Sequence, residues 1–441
     1  MDDNTAEELK INQQLKTHGD SISKTFCVLP WLHMNTWPNG NVYPCCLTDW
    51  REDVGNLKDN TLEEIWNNDK MKEIRQHMLQ GKKHNSCRKC FQQEDYNLDS
   101  TRTSSNRLFS HHIPTITENT TEDGHNNDFK LLYWDFRFSN LCNFKCRMCG
   151  SALSSKWYED EVKIFGHSDL PQAIINVNDY SKKNINEYLD EFIHDVEEIY
   201  FAGGEPLLMD EHYYILEKLL EIGKTDVRIR YNTNLGFIKF KKWDNLELWK
   251  PFRDTEYTNV SIFASIDGIG KSAEYSRKGT KWDVVEGNIK RLIDEDFNIH
   301  ISATTSIFTV WEVPELVDRM LEIGLPDYAI QLNNVLTSPL YYHVNILPDE
   351  FKNKIKEKYN NHLSLMSEER QEIFKPKYDS IFRFLDEPTI EDVTSLRKGF
   401  KHITDILDKG REESFVDVYP YYKEWYESID ESENIDLTGI V

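Results

Sequence analysis

From Phe129 onward the chain alternates short apolar, β-branched runs with longer amphipathic stretches, and this alternation most narrows what it can fold into. Strand-like runs fall at 131–138, 196–202, 227–233, 259–266, 298–307 and 328–335, and helical stretches follow most of them. Six β/α units at ordinary spacing call for a parallel sheet covered by helices. Periodicity alone does not separate an open sheet from a barrel. The stretch 158–195 is longer than a normal crossover and reads as a helical insertion. Beyond Val335 the text turns charged and aromatic, with helical runs at 350–364 and 390–412, and reads as a helical cap over the open edge of the sheet. Tyr419, Tyr421, Tyr422 and Trp425 fit either aromatic packing there or a substrate-lining surface.

The first strand-like run leads into Phe138-Ser139-Asn140-Leu141-Cys142-Asn143-Phe144-Lys145-Cys146-Arg147-Met148-Cys149-Gly150, a Cys-x3-Cys-x2-Cys loop. Cysteine thiolates are the usual ligands of iron–sulfur clusters, which normally take four, so three leave one iron open to another partner. Zinc sites prefer paired Cys-x2-Cys units and fit this spacing poorly. The loop resembles the cluster motif of the radical S-adenosylmethionine (SAM) superfamily. That resemblance implies a 4Fe-4S cluster on Cys142, Cys146 and Cys149, SAM chelating the fourth iron, and reductive cleavage of SAM to a 5′-deoxyadenosyl radical that takes a substrate hydrogen. The family usually has an aromatic residue before the third cysteine. Here it is Met148, a side chain that also packs against an adenine ring.

The resemblance also implies a fold, α/β with a partial (β/α)6 TIM-like barrel over 129–340, whose chemistry sits at the carboxyl ends of the strands. Distinctive residues fall there. Gly203-Gly204-Glu205-Pro206 ends the second strand: two glycines let backbone approach a ligand, and a carboxylate takes an ammonium group. By resemblance this segment holds the SAM amino group. Thr233-Asn234 ends the third strand, with Leu235 where the family has glycine, and Ser265-Ile266-Asp267-Gly268 ends the fourth. Either could serve only as a helix cap or turn, whereas the resemblance implies contacts to SAM from Thr233, Asn234, Ser265 and Asp267. Glu274-Tyr275-Ser276-Arg277-Lys278-Gly279 resembles a stretch in which the arginine reaches the SAM carboxylate, here Arg277. No residue stands out as a general acid or base.

Five further cysteines precede the β/α region: Cys27, Cys45, Cys46, Cys87 and Cys90. Residues 1–25 read as a polar tail. Between 26 and 96, Asn39-Gly40 between extended segments signals a hairpin. Thr61 with Glu64 signals a capping box opening a helix to about Leu79. So small a unit has little core, and a bound metal would supply the missing stability. On spacing alone, a four-cysteine zinc site and an iron–sulfur cluster are equally suited. Pro30-Trp31, Gly40-x-Val42-x-Pro44-Cys45, Leu62-x-x-Ile65-Trp66 and Cys87-x2-Cys90 resemble a twitch domain, a shortened SPASM domain. The resemblance implies one auxiliary 4Fe-4S cluster, on Cys27, Cys45, Cys87 and Cys90 with Cys46 as the alternative to Cys45. In most relatives such a segment follows the radical SAM domain; here it precedes it. Residues 97–128, polar and aperiodic, read as a linker, His111-His112 as a surface tract within it, and 341–441 as a helical extension.

A formal net charge of −24 with a sequence pI near 5.0 speaks against nucleic acid and anionic membranes as partners and favours a basic or neutral substrate, a peptide or a small molecule. No window approaches the roughly 20 apolar residues of a membrane span. Clustered cysteines without a signal-like start fit a cytoplasmic metalloprotein, with an electron donor such as flavodoxin or ferredoxin as the implied partner. The rival reading is a non-catalytic metal-binding interaction protein on a degenerate scaffold; the joint presence of the cysteine loop, the Gly-Gly-Glu-Pro turn and Ser265-x-Asp267 argues for chemistry.

Overall fold

The computed structural model describes residues 22–95, 99–253, 260–388 and 392–430. Most of the tail expected over 1–25, and the first residue or two of the runs at 259 and 390, lie outside them. The described chain forms two compact units, one built from residues up to 139, 175–203 and 210–229, the other from 140–174, 204–209 and 230–441.

The first unit holds five strands: β1 (His33–Thr36), β2 (Asn41–Tyr43), β3 (Gly55–Asn56), β4 (Tyr133–Phe136) and β5 (Glu198–Phe201). β1 turns back antiparallel into β2 across Asn39-Gly40, where Gly40 has φ +85°, a left-handed conformation that glycine adopts without penalty. β2 pairs antiparallel with β3, while β1 lies parallel to β4, and β4 parallel to β5. The amino-terminal hairpin thus extends a parallel sheet. All four residues of β1 and of β4 are buried.

Helix α1 (Leu62–Trp66) opens with the expected capping box, Thr61 accepting from Glu64 N–H and Glu64 from Thr61 N–H. It stops early. Asn68 takes the Met71 N–H and starts a second helix, α2 (Asp69–Leu79), so the single helix expected to Leu79 is two. After α3 (Arg88–Asp95), the stretch read as a linker folds into α4 (Thr101–Leu108) and α5 (Ile113–Glu118). Ser100 caps α4, and two side chains of that helix reach back to the start of the unit: Arg102 and Asn106 both donate to the Phe26 carbonyl, each at 2.8 Å. Polar composition concealed α4, because its buried positions are polar, Arg102, Ser105 and Asn106, while α5 is too short for its buried Ile113 and Ile116 to show a period.

The second unit carries the strands β6 (Arg228–Thr233, its first two residues in the first unit), β7 (Val260–Ala264), β8 (Asn298–Thr305) and β9 (Ile330–Val335), neighbours in that order, with β7–β8 and β8–β9 parallel. β7 and β8 alternate buried with half-buried residues. Ile262, Ala264, Ile299, Ile301 and Ala303 form the apolar face, whereas Ser302 and Thr304 fall on the other. The expected helical extension is present, and Lys377 from its helix Glu368–Asp386 donates to the Ile330 carbonyl at 2.7 Å, occupying part of the β9 edge. Tyr419, Tyr422, Trp425 and Tyr426 are buried around Phe400 and Phe415 in aromatic contacts. The architecture is α/β with parallel strands.

Candidate metal and cofactor sites

In the second unit the cysteine loop is held by contacts that start from its own backbone. Lys145–Cys146 pairs antiparallel with Arg277–Lys278. Ser154 donates to the Phe144 carbonyl at 2.6 Å, Trp157 to the Cys146 carbonyl at 2.5 Å, and Arg147 N–H to the Ser276 carbonyl at 2.8 Å. Gly279, at φ +112°, lies against this turn: a Cβ there would stand 2.8 Å from Phe144 Cδ1. Cys142, Cys146 and Cys149 are all half-buried. Burial raises each thiol, that of Cys149 to about 12; neighbouring cysteines raise Cys142 and Cys149 further, and Arg277 opposes the rise at Cys146. Thiols in such a place ionise only against nearby positive charge, which iron supplies.

The Gly-Gly-Glu-Pro turn engages its carboxylate with neighbouring protein groups. Glu205 is 1% exposed, and its oxygens accept from Thr233 Oγ1 at 2.7 Å, Asn234 N–H at 2.9 Å and Leu207 N–H at 3.2 Å. Burial, opposed by these donors, raises it to about 7. The side chain is thereby committed to joining its turn to the end of β6. The turn lies against the cysteine loop: Glu205 N–H donates to the Leu141 carbonyl at 2.8 Å, and a Cβ on Gly204 would stand 2.2 Å from that oxygen. Pro206 begins a short 3-10 turn. Gly203, in the first unit, has φ +120° and lies against Arg137, itself paired with Asp135 at 2.6 Å.

Thr233 is spent on Glu205, while Asn234 Nδ2 donates to Asn143 Oδ1 at 2.9 Å, the residue after Cys142. Leu235, standing where the family has glycine, adopts φ +50° and is fully buried. Ser265 is half-buried at the end of β7, its N–H on the Thr233 carbonyl. Asp267 is buried and holds Arg277 through two bonds, 2.7 and 2.9 Å, while Arg277 Nη1 stands 3.7 Å from Cys146 Sγ. Met148 is half-buried in the loop. Glu205, Asp267 and Arg277 therefore all touch protein groups that fix the cysteine loop or the strand ends. Spacing did not reveal Asn143 or Arg147, whose partners come from distant segments.

In the first unit Cys27, Cys45, Cys87 and Cys90 line one small cavity, together with Thr48 and Arg102. Cys46 is not among the lining residues; its thiol and that of Cys45 interact, which with burial raises Cys45 well above the usual range. Burial and the neighbouring thiols raise Cys27, and Cys87 to about 12. Burial raises Cys90 as well, and Arg102, paired with Glu94 at 2.7 Å, opposes the rise at Cys27, Cys87 and Cys90. A tetrahedral zinc with bonds of about 2.3 Å draws its thiolates to roughly 3.8 Å of one another. Among the described residues, the set of three metal-ligating side chains within 4.8 Å of each other is His111, His112 and Glu197, so neither cysteine group is drawn in that tightly. A four-iron cluster spreads its ligands wider, each thiolate on its own iron. Four cysteines around one cavity and three on one loop, with SAM for the fourth position, offer the number of ligands such clusters take.

Residues 136–320 match the Radical SAM superfamily, and residues 27–91 match SPASM, an iron-sulfur cluster-binding domain. The first match is to a domain with which a 4Fe-4S cluster and SAM are associated, the second to one that binds auxiliary iron–sulfur clusters. No curated protein matches the chain. Similar solved structures include native anSMEcpe with bound AdoMet (15% identity, TM-score 0.33, 63% of this chain and 60% of that one). They also include SuiB of Streptococcus suis bound to the precursor peptide SuiA (11%, 0.33, 67% and 62%) and SuiB without it (12%, 0.32, 67% and 61%). The chain covers less than two thirds of each of these three.

Proposed function

We propose that the protein is a radical SAM enzyme with one auxiliary 4Fe-4S cluster, in which Cys142, Cys146 and Cys149 hold the SAM-binding cluster and Cys27, Cys45, Cys87 and Cys90 the auxiliary one. When bound, cluster and SAM supply a reductively generated 5′-deoxyadenosyl radical for hydrogen abstraction from substrate. The observation carrying the reading is the convergence of the cysteine loop with the Gly204–Glu205 turn, the Thr233–Asn234 strand end and the Asp267–Arg277 pair. These groups hold the loop from three sides. Arg277 Nη1 faces Cys146 Sγ, where a donor stabilises a thiolate ligand. The parallel sheet is proposed to be the partial (β/α)6 barrel, and the first unit's 26–96 segment a twitch-type domain.

Half-buried Asn232, Ser302 and Thr304 offer polar contacts on the sheet face opposite the apolar one. A substrate of neutral or basic character, a peptide side chain or small molecule, suits a chain of net charge −24. Flavodoxin or ferredoxin is the proposed electron donor, in the cytoplasm. No helix among the described residues is long and apolar enough to cross a membrane. Anaerobic reconstitution tests the proposal: about eight iron per chain and slow release of 5′-deoxyadenosine from SAM under reduction are expected. The joint change Cys142→Ala, Cys146→Ala, Cys149→Ala should abolish that release. Undiminished release would sink the assignment, and about four iron plus one zinc would return the amino-terminal site to zinc.

A further inference from the structure

Arg147 lies between two of the proposed cluster ligands, and its guanidinium is completely buried. A buried cation costs a great deal unless it is paired. Its partners come from the far end of the chain: Nη2 donates to Asp408 Oδ1 and, at 2.8 Å, to Glu413 Oε2. Both lie beyond the residues that either family match covers. Around them the local chain is shaped to deliver the acids. Asp408 sits near the end of helix Val393–Arg411; Glu412, at φ +56°, ends that helix in the left-handed conformation and turns Glu413 back. Phe415 N–H and Tyr275 Oη donate to the Asp408 carboxylate at 2.6 and 2.8 Å, and Lys278 reaches Glu413 at 3.0 Å. Tyr275 also lies under the guanidinium, 3.6 Å from its carbon to the ring centre.

A second bond from the same helix end reaches the loop by another route. Arg411 pairs with buried Asp160 at 3.0 Å, and Asp160 with Lys145 at 3.0 Å, one residue before Cys146. Trp157, which donates to the Cys146 carbonyl, lies beneath the Arg411 guanidinium. The segment Cys146–Cys149 is therefore gripped on both sides by one helix terminus.

We propose that the carboxy-terminal extension is a working part of the SAM-cluster site: Asp408 and Glu413 neutralise Arg147 and Lys278, hold Cys146 and Cys149 at cluster spacing, and keep positive charge from building up beside the cluster. Arg147, Asp408 and Glu413 are positioning residues. Arg147 and Lys278 with the two acids balance to zero; Asp408→Asn with Glu413→Gln leaves +2, and adding Arg147→Met leaves +1. This rests on the assignment of Cys142, Cys146 and Cys149 to the cluster.

The test uses the reconstituted full chain. In the double variant, iron should fall by about half while the auxiliary cluster's electron paramagnetic resonance signal persists, and the change that SAM induces in the other cluster's signal should be lost. In whatever cluster remains, the reduction potential should rise, because a more positive surrounding favours the reduced form. The triple variant should recover most of the iron and return the potential part of the way. Full iron with an unchanged SAM-dependent spectrum and potential in the double variant would overturn the inference, as would a triple variant no better than the double. If the double variant does not accumulate folded, the triple alone decides by the same criterion. Cys146→Ala separates the two levels. If it leaves iron and spectrum untouched, the cluster assignment itself fails; if it halves the iron while the double variant loses nothing, only the role of the extension fails.

Discussion

Gly204→Ala puts the joint between the glutamate turn and the cysteine loop to the test. The backbone there is outside the positive-φ region, so the substitution is purely a matter of space. The added Cβ would stand 2.2 Å from the Leu141 oxygen and 2.9 Å from the Leu141 and Asn140 carbonyl carbons. Both contacts are backbone, which does not swing aside as a side chain would. Relief requires the loop to withdraw by about an ångström, overpacking that costs roughly 1–3 kcal/mol. It also breaks the 2.8 Å bond from Glu205 N–H to Leu141, worth about 0.5–1.5 kcal/mol. The sum is about 1.5–4.5 kcal/mol. Urea unfolding of the metal-free chain measures it, and because Leu141 precedes Cys142, iron binding by the loop should weaken in parallel. A variant within about 0.5 kcal/mol of the parent, with normal iron content, would refute the close approach as the reason for glycine here.

Glu205→Gln bears on pH. The folded carboxyl is raised from 4.5 to about 7, so its contribution to stability is full below 4.5 and is lost as pH rises through 7. At roughly 1.4 kcal/mol per unit, the slope amounts to about 3 kcal/mol. The glutamine variant should lose that slope in urea midpoints between pH 5 and 8, and an unaltered slope would show that Glu205 is not its source. Cys87→Ala with Cys90→Ala should remove about half of the iron and make the amino-terminal segment protease-sensitive, while 5′-deoxyadenosine release persists and substrate turnover is lost. Full substrate turnover would reduce that site to a structural one. Arg102→Met removes both Arg102 bonds to Glu94 and one of the two side-chain donors to the Phe26 carbonyl; a loss of about 1.5–3 kcal/mol is expected in thermal or urea unfolding, with loss of the auxiliary iron, and a neutral outcome would remove Arg102 from the site.

What the sequence by itself determined was local and periodic. The six β/α runs reappear as strands within a few residues of their expected places, because alternation of apolar residues is a property of neighbours. Thr61 and Glu64 act within one turn, and Asn39-Gly40 within one hairpin, so both were legible. The spacing of the cysteines could be read for the same reason. Only the tertiary structure decided how the functional side chains are used. Glu205 and Asp267 carry charges that suggest ligands, yet folding places donors 28 and 10 residues away against them, and these donors take up their oxygens. Arg147 finds its acids 261 and 266 residues along the chain, a separation at which no motif records a pairing. The segment 97–128 looked like a linker because the buried face of α4 is polar, and Arg102 and Asn106 find their partners only in the fold, at Glu94, Phe26 and Val28. Composition reports what a residue prefers in isolation; which partner satisfies it is settled by the packing of the whole chain.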